Sequence, residues 1–218
     1  MDRFQLKLFA ILTMLTDHVG AVLFPQYLLF RVIGRLAFPV FVFLIAQGLV
    51  YTSNVRAYLG RLFVFALISE VPFDLAFHGT LFYPESQNVF FTLFLGLAAI
   101  AVLRDCAGRH PAAAFLFASA MAVLAELLRT DYGWFGVAGI VIFYCFRNDR
   151  LTGIVLFSLV LIVFSLLTGT LELFALLSGI PLYFYDAAKK GRRSWKYFFY
   201  VFYPAHLLLL YLIRMVAI

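Results

Sequence analysis

Asp17 and His18 stand side by side inside an otherwise apolar run, and Arg31 and Arg35 follow in the next one. The two arginines are four residues apart, so they share one face of a helix. An imidazole can take the proton from an attacking amine or hydroxyl, with a carboxylate fixing its tautomer. A nearby arginine can hold an anionic group or stabilise an oxyanion. No HExxH, GxSxG or P-loop pattern accompanies them. The two cysteines, Cys106 and Cys145, are too few and too far apart for a metal site or a disulfide framework. Direct transfer of a group from an activated donor, without a metal, is the chemistry these residues fit.

The elements that must position such groups are set by composition. The chain has 218 residues, of which 65% are hydrophobic and 13% charged, and its mean hydropathy is +0.99. A soluble domain is roughly half apolar and about a quarter charged. The composition therefore predicts an all-α, polytopic integral membrane helix bundle surrounded by lipid. The net charge of +6 speaks to orientation in the membrane and not to a nucleic-acid partner.

A helix needs about 20 residues to cross the hydrocarbon. Apolar runs predict nine spans, at 7–24, 28–50, 57–77, 89–103, 111–128, 132–146, 151–168, 171–186 and 197–216. The fourth, sixth and eighth are short. No internal repeat is visible, and residues 1–218 read as a single transmembrane domain. Asp17 and His18 would fall in the apolar region of a signal peptide, so the first run is expected to be an uncleaved span.

Lysine and arginine alternate sharply between successive loops. With the N-terminus inside, the inner segments hold Arg3, Lys7, Arg56, Arg61, Arg104, Arg109, Arg147, Arg150, Lys189, Lys190, Arg192, Arg193 and Lys196. The outer side holds only Arg31, Arg35, Arg129 and Arg214. Thirteen against four is a positive-inside pattern. A rise of about 1.5 Å per residue then places His18 in the outer half. Arg31 and Arg35 enter from outside, and Glu70 and Asp74 lie near the outer end of span three, with Pro72 between them. Asn88 opens span four, while Glu126, Arg129, Asp131 and Tyr132 cluster where span five meets span six. Gln47 and a central His206 occupy the inner half.

Ionisable groups at bilayer depth point to function, yet each has a plainer use. Arg31 can snorkel to the headgroups. Arg35 can staple two helices by pairing with Asp17, Glu70 or Asp74, and His18 can serve as an interhelical hydrogen bond. Glu126 and Arg129, at i,i+3, read as an interfacial ion pair. The basic run Lys189, Lys190, Arg192 and Arg193 can anchor topology, or bind acidic lipid or nucleotide phosphate.

Six blocks resemble the TraX family of membrane proteins, in order and over nearly the whole chain. They are LKLFAILTMLTDHVGAVLFP, FRVIGRLAFPVFVFLIAQG, RLFVFALISEVPFDLAF, QNVFFTLFLG, RTDYGWFGV and KYFFYVFYPAHLLLLYLI. That family is named for a conjugative-plasmid protein that acetylates the N-terminus of pilin. It is similar to the acyltransferase-3 and heparan glucosaminide acetyltransferase groups, in which a first-helix histidine and nearby arginines serve acyl transfer from cytosolic acyl-CoA. The resemblance implies a multi-pass protein of the bacterial inner membrane. It implies an acetyltransferase using acetyl-CoA as donor, with a pilin N-terminus or a cell-surface glycan as acceptor at the outer face.

His18 matches the family's histidine by its place in span one. Arg31 and Arg35 have three residues between them, where the acyltransferase-3 pattern has two. The catalytic set expected is His18, Asp17 and Arg35. Arg31, Arg35, Lys189, Lys190, Arg192 and Arg193 are expected to meet the donor, and Glu70, Asp74, Asn88 and His206 to shape the site. Two other classes fit intramembrane charge: a transporter or permease, and a non-catalytic assembly protein of a conjugation or secretion system.

Overall fold

The computed structural model describes residues 1–189 and 196–217. Helices dominate: α1 Arg3–Val22, α2 Leu28–Gly34, α3 Ala37–Tyr51, α4 Val55–His78 and α5 Val89–Cys106 come first. They are followed by α6 Pro111–Leu127, α7 Gly133–Cys145, α8 Arg150–Thr168, a 3-10 segment Thr170–Ser178, α9 Gly179–Tyr183 and α10 Lys196–Ala217.

Local chemistry explains where the helices begin and break. Asp2 and Gln5 form a reciprocal capping box at the start of α1. Asn54 and Asn88 accept the backbone N–H of Ala57 and Phe90 at the starts of α4 and α5. At the start of α8, Asp149 accepts from both the hydroxyl and the backbone N–H of Thr152, and these bonds hold its carboxyl below the usual carboxylate range. The run 28–50, expected as one span, is interrupted after Gly34. Pro39 is the reason. It has no N–H for the carbonyl four residues back, and its ring crowds that carbonyl, which belongs to Arg35. The run 171–186 begins as a nine-residue 3-10 segment. Pro181 removes the helical donor for Leu177 in the same way, next to the point where the 3-10 geometry ends.

Four helical stretches are long and apolar enough to cross a membrane among the described residues: Leu28–Tyr51, Val89–Cys106, Arg150–Thr168 and Tyr197–Val216. Pro111–Leu127, Gly133–Cys145 and Thr170–Tyr183 are apolar but shorter. Helices α1 and α4, also expected as spans, carry the ionisable residues Asp17, His18, Glu70 and Asp74. Large apolar side chains such as Leu166 and Leu167 stand exposed on α8, as a lipid-facing surface requires. The chain is thus an all-α, multi-pass membrane protein.

The chain forms two compact units. The first comprises Met1–Phe41, Ile68–Phe82 and Leu161–Ile218. Here α1 and α2 form an antiparallel hairpin that packs against the 3-10 segment and α10. The second comprises Val42–Leu67 and Tyr83–Val160, where α5, α6 and α7 pack together around Leu97, Ile100, Phe135 and Ile140.

Candidate active site

In the first unit, four charged side chains close into one cluster. Asp17, 7% exposed, accepts from both arginines expected near it. Arg31 Nη1 lies 2.6 Å from its Oδ2, and Arg35 Nη2 lies 2.9 and 3.0 Å from Oδ1 and Oδ2. Arg35 Nη1 reaches on to Glu172 Oε1 at 2.6 Å. Two guanidinium groups thus meet two carboxylates, and the formal charges cancel. Arg31, far from snorkelling alone, is tied to α1. Charges so deeply buried are tolerated because they are paired and hydrogen-bonded.

Close backbone approach makes the cluster possible. Gly20 faces Phe30 and Gly34 faces Asp17 so tightly that a Cβ on either glycine would overlap its neighbour. Small residues let the two helices approach as helices in membranes do.

His18, the next residue along α1, points elsewhere. Its Nδ1 lies 2.6 Å from Nε2 of His206 on α10. The ring centroids are 5.0 Å apart and the planes differ by 4°. With so short an N–N distance, the rings meet edge to edge. His206 Nδ1 in turn lies 2.7 Å from the carbonyl oxygen of Phe202. Phe77 and Tyr203 present ring edges to His18 at centroid distances of 5.3 and 6.0 Å. His18 is only half-buried, whereas His206 is 5% exposed.

Several expected groupings are redrawn by these contacts. Asp17 is engaged by the arginines, and the partner of His18 is a second histidine. His206, assigned to the inner half by its sequence position, meets the histidine assigned to the outer half. The arithmetic allowed this: His18 is eleven residues past Lys7 and His206 nine past Tyr197, or about 17 and 14 Å of helical rise. Glu172 was overlooked, although a lone carboxylate in an apolar run was its signal. Glu70 and Asp74 lie in the same unit on α4, Asp74 fully buried at 1% exposure. They sit one turn apart, and Asp74 is three residues from Phe77, the ring that touches His18.

Asn88 belongs to the second unit. Besides capping α5, it donates from Nδ2 to the carbonyl of Ala66 at 2.8 Å, so it ties α5 to α4. Arg129 pairs with Glu85 rather than with Glu126. Its φ of 53° carries it off the helical path, so the i,i+3 geometry is lost. Glu126 instead accepts from the backbone of Trp134. The loop is pinned further by Thr92, whose hydroxyl donates to the carbonyl of Asp131 and receives that of Thr130 at 2.8 Å. The second unit also has a cavity of about 470 Å³, lined in part by Asn54, Arg56, Leu59, Arg104, Asp105 and Cys106. Arg104 is paired with Asp105 at 2.7 Å. Lys189 is exposed, while Lys190, Arg192 and Arg193 lie outside the described residues. No group of three or more His, Cys, Asp or Glu able to hold a metal occurs among the described residues.

A multi-pass helical membrane protein with a buried, neutralised ion cluster beside an oriented histidine pair is the class that fold and site define. The family model described as "TraX protein" matches residues 2–214, and the chain belongs to that family. It is 29% identical to the "Probable fimbrial assembly protein FimC, serogroup H1" of Dichelobacter nodosus, over 95% of this chain and 93% of that protein. It is 26% identical to the "Uncharacterized protein RP591" of Rickettsia prowazekii (strain Madrid E), over 66% of this chain and 56% of that protein. No solved structure matches. TraX membership together with the helical membrane fold supports an acyltransferase-like function.

Proposed function

We propose that this protein is an integral membrane acetyltransferase that moves an acetyl group from cytosolic acetyl-CoA to an amine or hydroxyl acceptor at the outer face. The observation that carries this reading is His18: a partly buried imidazole fixed through Nδ1, next in sequence to a carboxylate locked by two arginines. An imidazole held in this way suits a general base.

The reaction then balances as follows. His18 takes the proton of the acceptor N–H or O–H as that atom attacks the thioester carbonyl carbon. A C–N or C–O bond forms and the C–S bond breaks. The departing thiolate of coenzyme A receives the proton from His18. Both Nη groups of Arg35 are already engaged by carboxylates, which supports a positioning role for it over direct contact with the thioester. Phosphate contacts fall to cationic groups of the inner loops, where they would be charge-assisted. Lys189 and its basic neighbours offer such a set.

The name of the Dichelobacter relative, a probable fimbrial assembly protein, favours a fimbrial subunit as the acceptor. It equally raises a second reading, in which the protein assists fimbrial assembly without chemistry. Both are tested with purified protein in lipid nanodiscs, given acetyl-labelled acetyl-CoA and a peptide with a pilin-like N-terminus. Label on the peptide, coenzyme A release in equal amount, and loss of both in His18→Ala are expected. Absence of saturable acetyl-CoA binding to the intact wild-type protein would remove the acetyltransferase reading and leave the assembly role.

A further inference from the structure

We infer that His206 is the residue that fixes His18 as a base, holding it in one tautomer so that its Nε2 is the proton acceptor. The inference rests on the acyltransferase reading for its function but not for its geometry.

A backbone carbonyl only accepts. His206 Nδ1, 2.7 Å from the carbonyl of Phe202, must therefore carry a hydrogen. In a neutral imidazole the other nitrogen is then an acceptor, so His206 Nε2 presents a lone pair. His18 Nδ1, 2.6 Å away, must supply the hydrogen between them. That leaves Nε2 of His18 without one. The chain Phe202 carbonyl, His206, His18 thus runs in one direction and ends on a basic nitrogen.

This device differs from the familiar pairing of a catalytic histidine with a carboxylate. The nearest acidic residue in sequence, Asp17, is taken up by Arg31 and Arg35. The orienting group is a neutral ring. When His18 Nε2 takes the acceptor's proton, the Nδ1 proton can pass to His206 Nε2. The positive charge then rests on His206, whose Nδ1–H still points at the Phe202 carbonyl. Return of both protons along the same path delivers one to the leaving thiolate. Phe202 also stacks on His206, centroids 4.8 Å apart, so one residue fixes the ring by both its carbonyl and its face. Other titratable or charged groups on the elements of this unit include Arg3, Lys7 and Asp17 on α1, Arg31 and Arg35 beside it, Glu172 in the 3-10 segment, Tyr200, Tyr203, Tyr211 and Arg214 on α10, and Glu70, Asp74 and His78 on α4.

Two measurements test this. The chain has four histidines, so a background of His78→Gln and His110→Gln leaves only the pair. Nitrogen-15 NMR of that protein in nanodiscs reads each tautomer directly, whatever the activity. Nδ1–H on both rings is expected, and His18 protonated at Nε2 instead would overturn the inference. The second measurement is kinetic. His206→Phe keeps a ring but has no acceptor, so kcat should fall by about 10²–10⁴-fold while KM for acetyl-CoA stays within about twofold. His206→Gln offers an amide oxygen in place of Nε2 and should recover part of the loss. In the wild type two coupled groups should shape the pH profile, and in His206→Gln only one. If His206→Phe keeps wild-type kcat while His18→Ala does not, His206 has no such role. Two Nδ1–H rings in a wild-type protein that transfers no acyl group would uphold the ring pair and sink the acyltransferase reading.

Discussion

Asp17 occupies the space that a side chain at position 34 would need. A Cβ built on Gly34 collides with the Asp17 carboxylate, and that same carboxylate accepts from Arg31 and Arg35. The glycine and the ion cluster are therefore one arrangement.

Gly34→Ala should push α1 away from α2 and loosen the cluster. Overpacking of this kind costs about 1–3 kcal/mol. A lower melting temperature in detergent is expected, together with weaker acyl transfer because His18 rides on the displaced helix. An Ala variant as stable and active as wild type would show that the hairpin can give way without consequence.

Arg35 and Glu172 form the second link of the cluster, 2.6 Å apart and both well buried. Arg35→Met alone strands Glu172, and Glu172→Leu alone removes one of the carboxylates that Arg35 pairs with. Breaking a buried pair from one side costs about 3–5 kcal/mol. The double variant removes both charges and leaves Arg31 with Asp17, so it should recover much of the loss. Thermal denaturation of the four proteins forms a double-mutant cycle. Additive losses would mean that the two residues do not act as a pair.

His18→Ala should abolish acyl transfer while the protein still inserts and purifies. Because a base must be unprotonated to act, wild-type kcat/KM should rise with pH through the titration of the histidine pair and level off above it. The sign matters. Activity that falls over that rise would require His18 to act as an acid first. Rates from pH 5 to 9 in nanodiscs, with insertion checked by size exclusion, decide it.

Donor binding should weaken as ionic strength rises, because contacts at exposed cations are screened. Neutralising the run from Lys189 to Arg193 should raise KM for acetyl-CoA more than it lowers kcat. Equilibrium titration of inside-out vesicles with labelled acetyl-CoA measures this. Salt-independent affinity would place the phosphates away from these arginines and lysines.

The expected orientation is checked by reporter fusions, with Lys190 in the cytosol and Ile218 outside. It rests on the thirteen-to-four division of basic residues. Both reporters on one side would mean an even number of spans between the basic loop and the end of the chain, or none.

That Arg35 would find a carboxylate was legible, because charges in apolar runs must find each other and i,i+4 spacing put both arginines on one face; which of Asp17, Glu70 and Asp74 it would be was not. The helix break behind them was also computable, since Pro39 disables the carbonyl of Arg35, but composition alone smooths over a missing hydrogen bond. Glu172 escaped because the run around it reads as an ordinary short span. The pairing of His18 with His206 escaped for another reason. Hydropathy gives depth along each helix but not which faces meet, and only packing of α1 on α10 decides that. At Asn88 the polarity was visible in the sequence, whereas its bonds to Phe90 and Ala66 were not.

The cancellation of charge among Asp17, Arg31, Arg35 and Glu172 has an electrical meaning. A transmembrane voltage acts on each elementary charge with about 2.3 kcal/mol per 100 mV across the full field. Two positive and two negative groups held together would feel almost no net force from such a voltage. The position of His18 on the same helix is then expected to be insensitive to voltage. A variant lacking one member of the four acquires a gating charge, and its activity in vesicles should then follow an imposed potassium diffusion potential while the wild type ignores it.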